Sequence, residues 1–412
     1  MRTDSINMLD DTLKILDRGF YYLDGKEIPL KLSPAQMREI SVYLPEDVQK
    51  IRNSKEYDQL HLLGNIRINV DCENMDSYSL ATKRMKNVKY PLPEGSKPVL
   101  VLNFANPVNP GGGVRRGAKA QEEDLCRKSS LLLSLESQEA AAYYKYNKSL
   151  HSYMSSDAIM ITPQVEIIKD EKGNLLPESV VVAVMTCAAP LLSYGMEGLT
   201  DQQYQDLFYN RITGMLAVAA YLGYRELVLG AFGCGAFGND AKVVSDLFYK
   251  ALKEFDYGGS KAKDFFNQID FAVMDHSQSQ YNFKEFSRNF SDFYRNETAQ
   301  DKDGIRRVTE EPFCLSYCPS KKDANINNVT HGGVLFYLCD EAIGRYFTAK
   351  GMKGAAADAS IHYYRPAPIG EKLLIQVTER KVGKRLGTYL VELKDEKSVL
   401  LAEALFTIAF LK

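Results

Sequence analysis

The chain has 412 residues, enough for two or three domains, and its 45% apolar and 25% charged residues are the balance of an ordinary soluble globular protein. Lysine and arginine number 51 against 53 aspartate and glutamate, so a formal net charge of -2 argues against gripping nucleic acid or an anionic membrane by bulk charge, though not against a local basic groove. The 7 cysteines are scattered and lack any CxxC, and Cys314-x-x-x-Cys318 has no second ligand pair, which argues against a disulfide framework or a four-thiolate zinc site.

The first residues, MRTDSINMLDDTLKILDRG, mix acidic and apolar positions and do not read as a signal peptide. No apolar run reaches the ~18 residues of a membrane span. A reduced, cytoplasmic protein is expected, with no membrane partner, metal or cofactor. Residues 1–65 read as a helical N-terminal extension: Asp10 and Asp11 precede the amphipathic run TLKILDRGFYYL, and Ser33-Pro34 opens another helix.

From residue 66 the pattern changes. IRINV reads as a strand, MDSYSLATKRMK as a helix, and KPVLVLNFA as a strand buried on both faces. A glycine loop and a helix over about 121–136 follow. The strands DAIMITPQVEII and ESVVVAVMT are joined by the turn-like KDEKGN. A helix over 201–222 leads to the strand RELVLGAF, a second glycine loop, a helix over about 239–255 and the strand IDFAVMD. This alternation predicts an α/β layered domain with a mostly parallel sheet over 66–280. Residues 281–304 read as a helix and a polar linker. Residues 305–412 read as α+β, with a helix over about 332–349 before four strands, AADASIHYYR, EKLLIQVTER, GTYLVELK and VLLAEALFTIAFL.

Two loops carry candidate chemistry. In NFANPVNPGGGVRRGAKAQEEDLCRKSS, three glycines bring backbone close to a ligand, and a helix starting at Gln121 offers free N–H groups suited to phosphate. Glu122 and Glu123 stand in that first turn. They point in different directions, so one can act while the other positions. A plain acidic first turn that complements the helix dipole explains the same pair. The second loop, GAFGCGAFGND, can form a nest of N–H groups for a diphosphate. It contains GxGxxG, but no strand-end acid follows at the spacing of a dinucleotide fold.

GGG, then seven residues, then QEE, resembles the signature of microbial-type poly(ADP-ribose) glycohydrolases, a branch of the macrodomain fold. TLKILDRGFYY, VMTCAAP and GAFGCGAFGND look like that family too, so the resemblance spans residues 1 to about 280. It implies a three-layer α/β macrodomain and hydrolysis of ribose–ribose O-glycosidic bonds in poly(ADP-ribose). By the same resemblance Glu123 would be the catalytic acid and Glu122 would orient ribose hydroxyls. Gly112 and Gly113 would approach the diphosphate and distal ribose, with Gln121 beside them and Asn109 bonded to the ribose. Gly233, Cys234, Gly235 and Ala236 would cradle the diphosphate, Phe237 would pack on the terminal ribose, and Thr186 to Pro190 would line the adenosine side. Arg115 and Arg116 either meet phosphates or stay solvated. The acid's role calls for a carboxyl that keeps its proton near neutral pH.

A further constellation is Asn325, His331-Gly332-Gly333 and Asp340. A helix starting near Gly332 can polarise a carbonyl with its first N–H groups. Asp340 lies seven residues past Gly333, about 10 Å along the axis. That is too far to serve a carbonyl at its own helix start, so the spacing suggests a site shared between two antiparallel helices. The segment resembles hotdog-fold acyl-CoA thioesterases of the phenylacetate-pathway type over about 305–412. The resemblance implies Asp340 as base or nucleophile, the Gly333 N–H as oxyanion donor, Asn325 and His331 as positioning groups, acyl-CoA as substrate and at least a homodimer. Glu341 departs from the small or hydroxyl residue common there. The combined reading is a bifunctional hydrolase. The alternatives are an ADP-ribose-binding module with an oligomerising hotdog domain, or a hydrolase that removes ADP-ribose from protein or DNA.

Overall fold

A strand with no polar face needs cover on both sides, and the run around Leu100 finds it. In the computed structural model, which describes residues 2–54, 68–93, 95–291, 293, 305–309, 313–395 and 398–411, the chain forms two compact units, Met1–Phe293 and Tyr294–Lys412. The expected linker at 294–304 and the first residues of IRINV lie outside the described residues.

The first unit contains the strands β1 (Phe20–Leu23), β2 (Lys26–Pro29), β3 (Ser41–Tyr43), β4 (Asn69–Glu73), β5 (Leu100–Phe104), β6 (Ile159–Lys169), β7 (Leu175–Cys187), β8 (Glu226–Gly230) and β9 (Gln268–Ala272). Seven of them form one sheet in the order β3-β6-β7-β5-β8-β9-β4. From β7 to β4 every neighbour is parallel, while β3, β6 and β7 are antiparallel. The helices are α1 (Arg2–Arg18), α2 (Pro45–Asn53), α3 (Ser77–Met85), α4 (Gln121–Lys128), α5 (Leu131–Leu135), α6 (Ala141–Ser149), α7 (Asp201–Tyr221), α8 (Ala241–Glu254), α9 (Ala262–Phe265) and α10 (Tyr281–Phe290). Side chains alternate along β5. Val101, with Val184 and Val228, joins the core that holds Leu80 of α3, Leu125 of α4 and Leu132 of α5. Leu100 and Leu102 turn the other way, toward Met215 and Leu216 of α7 and Phe248 of α8. The expected three-layer, mostly parallel architecture results.

The N-terminal extension differs from the helical expectation. FYYL leaves the helix and forms a hairpin with KEIP, because Asp24-Gly25 adopts positive φ of 49° and 76°, the geometry of a tight two-residue turn. Ser33-Pro34 opens only a short 3-10 turn, Gln36–Arg38, after which β3 joins the sheet edge. The helix expected over 121–136 divides at Ser129-Ser130, whose backbone turns to β6. There Ser130 N–H donates to the Glu166 carbonyl at 3.1 Å, and Glu166 N–H donates to Ser130 Oγ at 2.9 Å. Helix α6 is an addition to the expected elements.

Two buried charges fasten this extension. The Glu166 carboxylate accepts from the N–H groups of Lys31 (2.7 Å) and Leu32 (2.9 Å) and from Ser179 Oγ (2.5 Å). Lys169 Nζ donates to Asp11 Oδ2 at 2.7 Å, Thr12 Oγ1 at 2.8 Å and the Met8 carbonyl at 3.2 Å.

The second unit contains β10 (Arg306–Thr309), β11 (Cys314–Tyr317), helix α11 (Gly332–Ala349), β12 (Gly354–Tyr363), β13 (Leu373–Val382), β14 (Leu386–Lys394) and β15 (Leu400–Phe410). Its sheet has the order β10-β11-β13-β14-β15-β12, antiparallel throughout. Leu338, Cys339 and Ala342 of α11 pack on Ile375, Val391, Ala404 and Phe406, so one helix lies against the sheet as the hotdog expectation requires. The short strands β10 and β11 are likewise additions to the expected pattern. Among the described residues no helix is long and apolar enough to cross a membrane.

Replacing Glu166 by Ala takes the acceptor from the buried Leu32 N–H, the part-buried Lys31 N–H and the Ser179 hydroxyl, so urea unfolding should show a loss of about 3 kcal/mol. An unchanged transition midpoint would contradict the anchoring role.

Candidate active site

Helix α4 begins where β5 ends, and Gln121 joins them. Its side-chain oxygen accepts from the Phe104 N–H at 2.8 Å. Its amide nitrogen donates to the Leu102 carbonyl at 2.7 Å and to Ser77 Oγ at 3.1 Å. The side chain that the sequence assigns to ligand is thus committed to positioning the helix.

Both glutamates of the first turn are buried, Glu122 at 2% exposure and Glu123 at 8%. Glu122 Oε2 accepts from the Asn106 N–H at 2.8 Å, and its Oε1 accepts from Asn103 Nδ2 at 3.3 Å. Asn103 also donates to Thr186 Oγ1 at 3.2 Å. Glu123 Oε1 accepts from the Gly113 N–H at 2.8 Å. Glu123 Oε2 is buried and, among the described residues, has no hydrogen-bond partner. Gly112 sits at a φ of +59°, and a Cβ there would collide with Glu123 Oε1 and lie 3.1 Å from Glu122 Oε2. Only glycine lets the main chain pass this close to both carboxylates.

Burial pushes the Glu122 carboxyl up to about 8. Hydrogen bonds from the Asn106 main chain and the Asn103 amide oppose the shift, and the charge of Glu123 adds to it. At neutral pH Glu122 is therefore largely uncharged.

Asn109 is exposed, and its N–H donates to Asn106 Oδ1 at 2.9 Å, while its carbonyl accepts from the Gly112 N–H at 3.0 Å. It shapes the loop. Arg115 is held by Glu136, with Nη2 to Oε2 at 2.7 Å and Nε to Oε1 at 3.0 Å.

The second glycine loop, after β8, spends the N–H groups of Phe232, Cys234, Gly238 and Asn239 on its own carbonyls. Among the described residues no such bond engages those of Gly235, Ala236 or Phe237. A Cβ on Gly233 would lie 2.5 Å from Asn239 Nδ2, whereas one on Gly235 would meet nothing within 4 Å. Asn239 donates to the carbonyls of Pro190 (2.8 Å) and Gly233 (2.9 Å) and accepts from the Tyr204 hydroxyl at 2.8 Å. Buried Arg211 of α7 holds the same neighbourhood, donating to the carbonyls of Ala188 (2.8 Å) and Met154 (3.0 Å) and pairing with Asp157 at 2.9 Å.

A cleft of about 680 Å³ opens at the carboxyl ends of β5, β8 and β9. It is lined by Gln121, Gly233, Gly235, Ala236 and Phe237 of the expected residues, and by Phe104 between the two loops. Of the segment Thr186 to Pro190, Ala189 alone lines it. Thr186 is buried on Asn103, so its assignment to the adenosine side is corrected to a support of the glutamates. Gly112, Gly113, Asn109, Glu122, Glu123 and Cys234 are not among the cleft's lining residues; the two glutamates follow Gln121 on the same helical turn, with half-exposed Gly112 packed against both carboxylates.

In the second unit His331 caps α11, its Nδ1 accepting the Gly333 N–H at 2.9 Å. The donor assigned to an oxyanion is thus engaged by its own neighbour. Asn325 Oδ1 accepts the Asn327 N–H at 2.8 Å in a local turn. Tyr363, to which the sequence assigns no role, donates its hydroxyl to the Gly332 carbonyl at 2.8 Å. Asp340 is exposed on α11, nine residues beyond His331. The structure does not bring Asp340 to the helix start within one chain.

Sequence reasoning missed Asn103, Asn106, Arg211 and Asn239. The two asparagines that bond Glu122 lie in the quoted run NFAN, and Asn239 in the quoted GND. Nothing local distinguishes Arg211 from other helical arginines.

Residues 10–170 match the family described as microbial-type PARG, catalytic domain, and residues 327–402 match the thioesterase superfamily. The solved poly(ADP-ribose) glycohydrolase from Deinococcus radiodurans, in complex with ADP-ribose, is 31% identical with a TM-score of 0.53, over 65% of this chain and 98% of that one. This chain belongs to the poly(ADP-ribose) glycohydrolase family. The glycohydrolase of Thermomonospora curvata, bound to the inhibitor ADP-HPD, is 29% identical with a TM-score of 0.60, over 70% of this chain and 100% of that one. The glycohydrolase macrodomain is the first unit, and a thioesterase-superfamily domain lies in the second. A putative esterase of Archaeoglobus fulgidus is 36% identical over 21% of this chain and 57% of its own length. The acyl-coenzyme A thioesterase PaaI of Escherichia coli is 31% identical over 16% of this chain and 48% of its own length. The chain thus spans about half the length of these curated relatives.

The raised Glu122 value makes the stability of this glycohydrolase fold depend on pH. The folded carboxyl binds its proton up to about pH 8 and the unfolded one only to about 4.3. The stability it contributes is complete below about pH 4.3 and is lost as pH rises through about 8, with a slope of at most about 1.4 kcal/mol per pH unit. Urea unfolding from pH 5 to 9 should therefore show a shallower decline in Glu122→Gln than in the unsubstituted protein. Parallel curves would contradict the raised value.

Proposed function

We propose that the first unit hydrolyses ribose–ribose O-glycosidic bonds in poly(ADP-ribose) and releases ADP-ribose, with Glu123 as the catalytic acid. The observation that carries this reading is the state of the Glu123 carboxylate. One oxygen is fixed by the Gly113 N–H and the other is buried without a partner. The diphosphate would lie on the N–H groups of Gly235, Ala236 and Phe237, and the distal ribose between Phe237 and the Gly112–Gly113 rim. Glu123 protonates the leaving 2′-oxygen, water adds to the oxocarbenium-like carbon, and the same carboxylate takes the proton that water gives up. The buried acid also favours turnover over a pure binding module, for which such a group has no use.

The purified protein should release ADP-ribose from poly(ADP-ribose). Glu123→Gln should lower the rate by about 10²–10⁴-fold while retaining ADP-ribose binding by calorimetry. Binding without release by the unsubstituted protein would favour the reader module. Release from ADP-ribosylated protein or DNA alone would favour the eraser reading.

For the second unit we propose acyl-CoA thioester hydrolysis at a site shared by two chains, in a cytoplasmic homodimer. The separation of Asp340 from the N-terminal turn of α11 supports sharing. So does β12, which among the described residues pairs on one side only, with β15, and is exposed along nearly its whole length. Light scattering should give at least a dimer, and mixing Asp340→Asn with His331→Ala chains should restore part of the thioesterase rate that each lacks alone. A monomer, or no restoration, would contradict the shared site.

A further inference from the structure

Two tyrosines of the first unit stack on each other in the open. The rings of Tyr153 and Tyr194 lie 4.8 Å apart at 16°, yet the residues are 47% and 69% exposed. Burial does not hold this stack; backbone bonds do. The Glu197 carboxylate accepts from the Tyr153 N–H at 2.6 Å and from Ser152 Oγ at 2.7 Å, and the Leu191 N–H donates to the Tyr153 carbonyl at 2.8 Å.

The segment that carries Tyr194 is fastened to the second glycine loop. The N–H groups of Leu192 and Ser193 both donate to the Phe237 carbonyl, at 2.8 and 3.2 Å. The Ser193 hydroxyl donates to the Ala236 carbonyl at 2.8 Å. The exposed ring of Tyr194 thus belongs to the chain segment bonded directly to the residue assigned to the terminal ribose.

We propose that Tyr194, backed by Tyr153, is a stacking platform for the adenine of the leaving group. The inference rests on the glycohydrolase reading above. In the polymer, the oxygen released when the distal ribose is cut belongs to the ribose of the next adenosine. A purine is therefore carried on the very sugar that departs. A flat, exposed aromatic ring fixed to the loop at the terminal ribose meets that base. Its outer face is free to stack, and the inner face is already supported. A ring held in advance loses little freedom on binding. Stacking of one base on one ring corresponds to about tenfold in binding.

The test uses Glu123→Gln protein, which leaves its ligand intact, and compares ADP-ribose with the dimer of two ADP-ribose units by calorimetry. The dimer should bind about tenfold more tightly than ADP-ribose. Adding Tyr194→Ala should abolish that difference and move the ADP-ribose dissociation constant by less than about twofold, whereas Tyr194→Phe should preserve the difference. Equal affinity for dimer and monomer with Tyr194 in place, or an equal loss for both ligands in Tyr194→Ala, overturns the platform while leaving the glycohydrolase reading standing. No binding of either ligand overturns both.

Discussion

The close passage of the Gly111–Gly113 main chain over two buried carboxylates is the constraint on which the site depends. The Gly113 N–H fixes one oxygen of Glu123, and the missing Cβ of Gly112 leaves room for the carboxylate. Everything around the pair secures this approach. Gln121 sets the start of α4 against the end of β5, and Asn103 and Asn106 hold Glu122. Burying two carboxyls side by side is costly unless one is neutral. Here burial favours the proton on Glu122, which lowers the cost of holding the two groups together.

The support extends behind the helix. Thr12 of α1 donates its hydroxyl to the Arg127 carbonyl at 2.5 Å, and Lys169 ties Asp11 and Thr12 to β6. The N-terminal extension therefore reaches the back of the helix that carries Glu122 and Glu123. Glu166, through Lys31 and Leu32, fastens the next stretch to the same strand. On the opposite wall Asn239 and Arg211 fix the second glycine loop and the strand end at Ala188 to Pro190. Both walls of the cleft are thus held by polar groups that are themselves buried, which favours a preformed site.

Much of this was legible in the chain. The apolar run around Leu100, the two glycine loops and the QEE turn are local patterns, and the structure forms them at the expected positions. The helix over Gly332–Ala349 and the four strands after it carry period and punctuation strong enough to read directly. What escaped depends on partners distant in sequence. Ser129-Ser130 breaks a helix only because β6 offers its backbone, and Arg211 acquires meaning only beside Ala188 and Met154. The hairpin at Asp24-Gly25 did have a local signal, but the amphipathic period before it masked the turn. In the second unit the residue pattern was legible, while its geometry within one chain leaves Asp340 away from the helix start that it would serve.

The central claim is that the free oxygen of Glu123 faces the bond to be cut. A crystal structure of the protein with ADP-ribose bound tests it most directly. The account predicts the distal ribose between Phe237 and Gly112, with Glu123 Oε2 within hydrogen-bond distance of a hydroxyl at the anomeric end and the Gly113 bond to Oε1 retained. A distal ribose seated away from Glu123, or a Glu123 that leaves Gly113 and turns from the ligand, would contradict it.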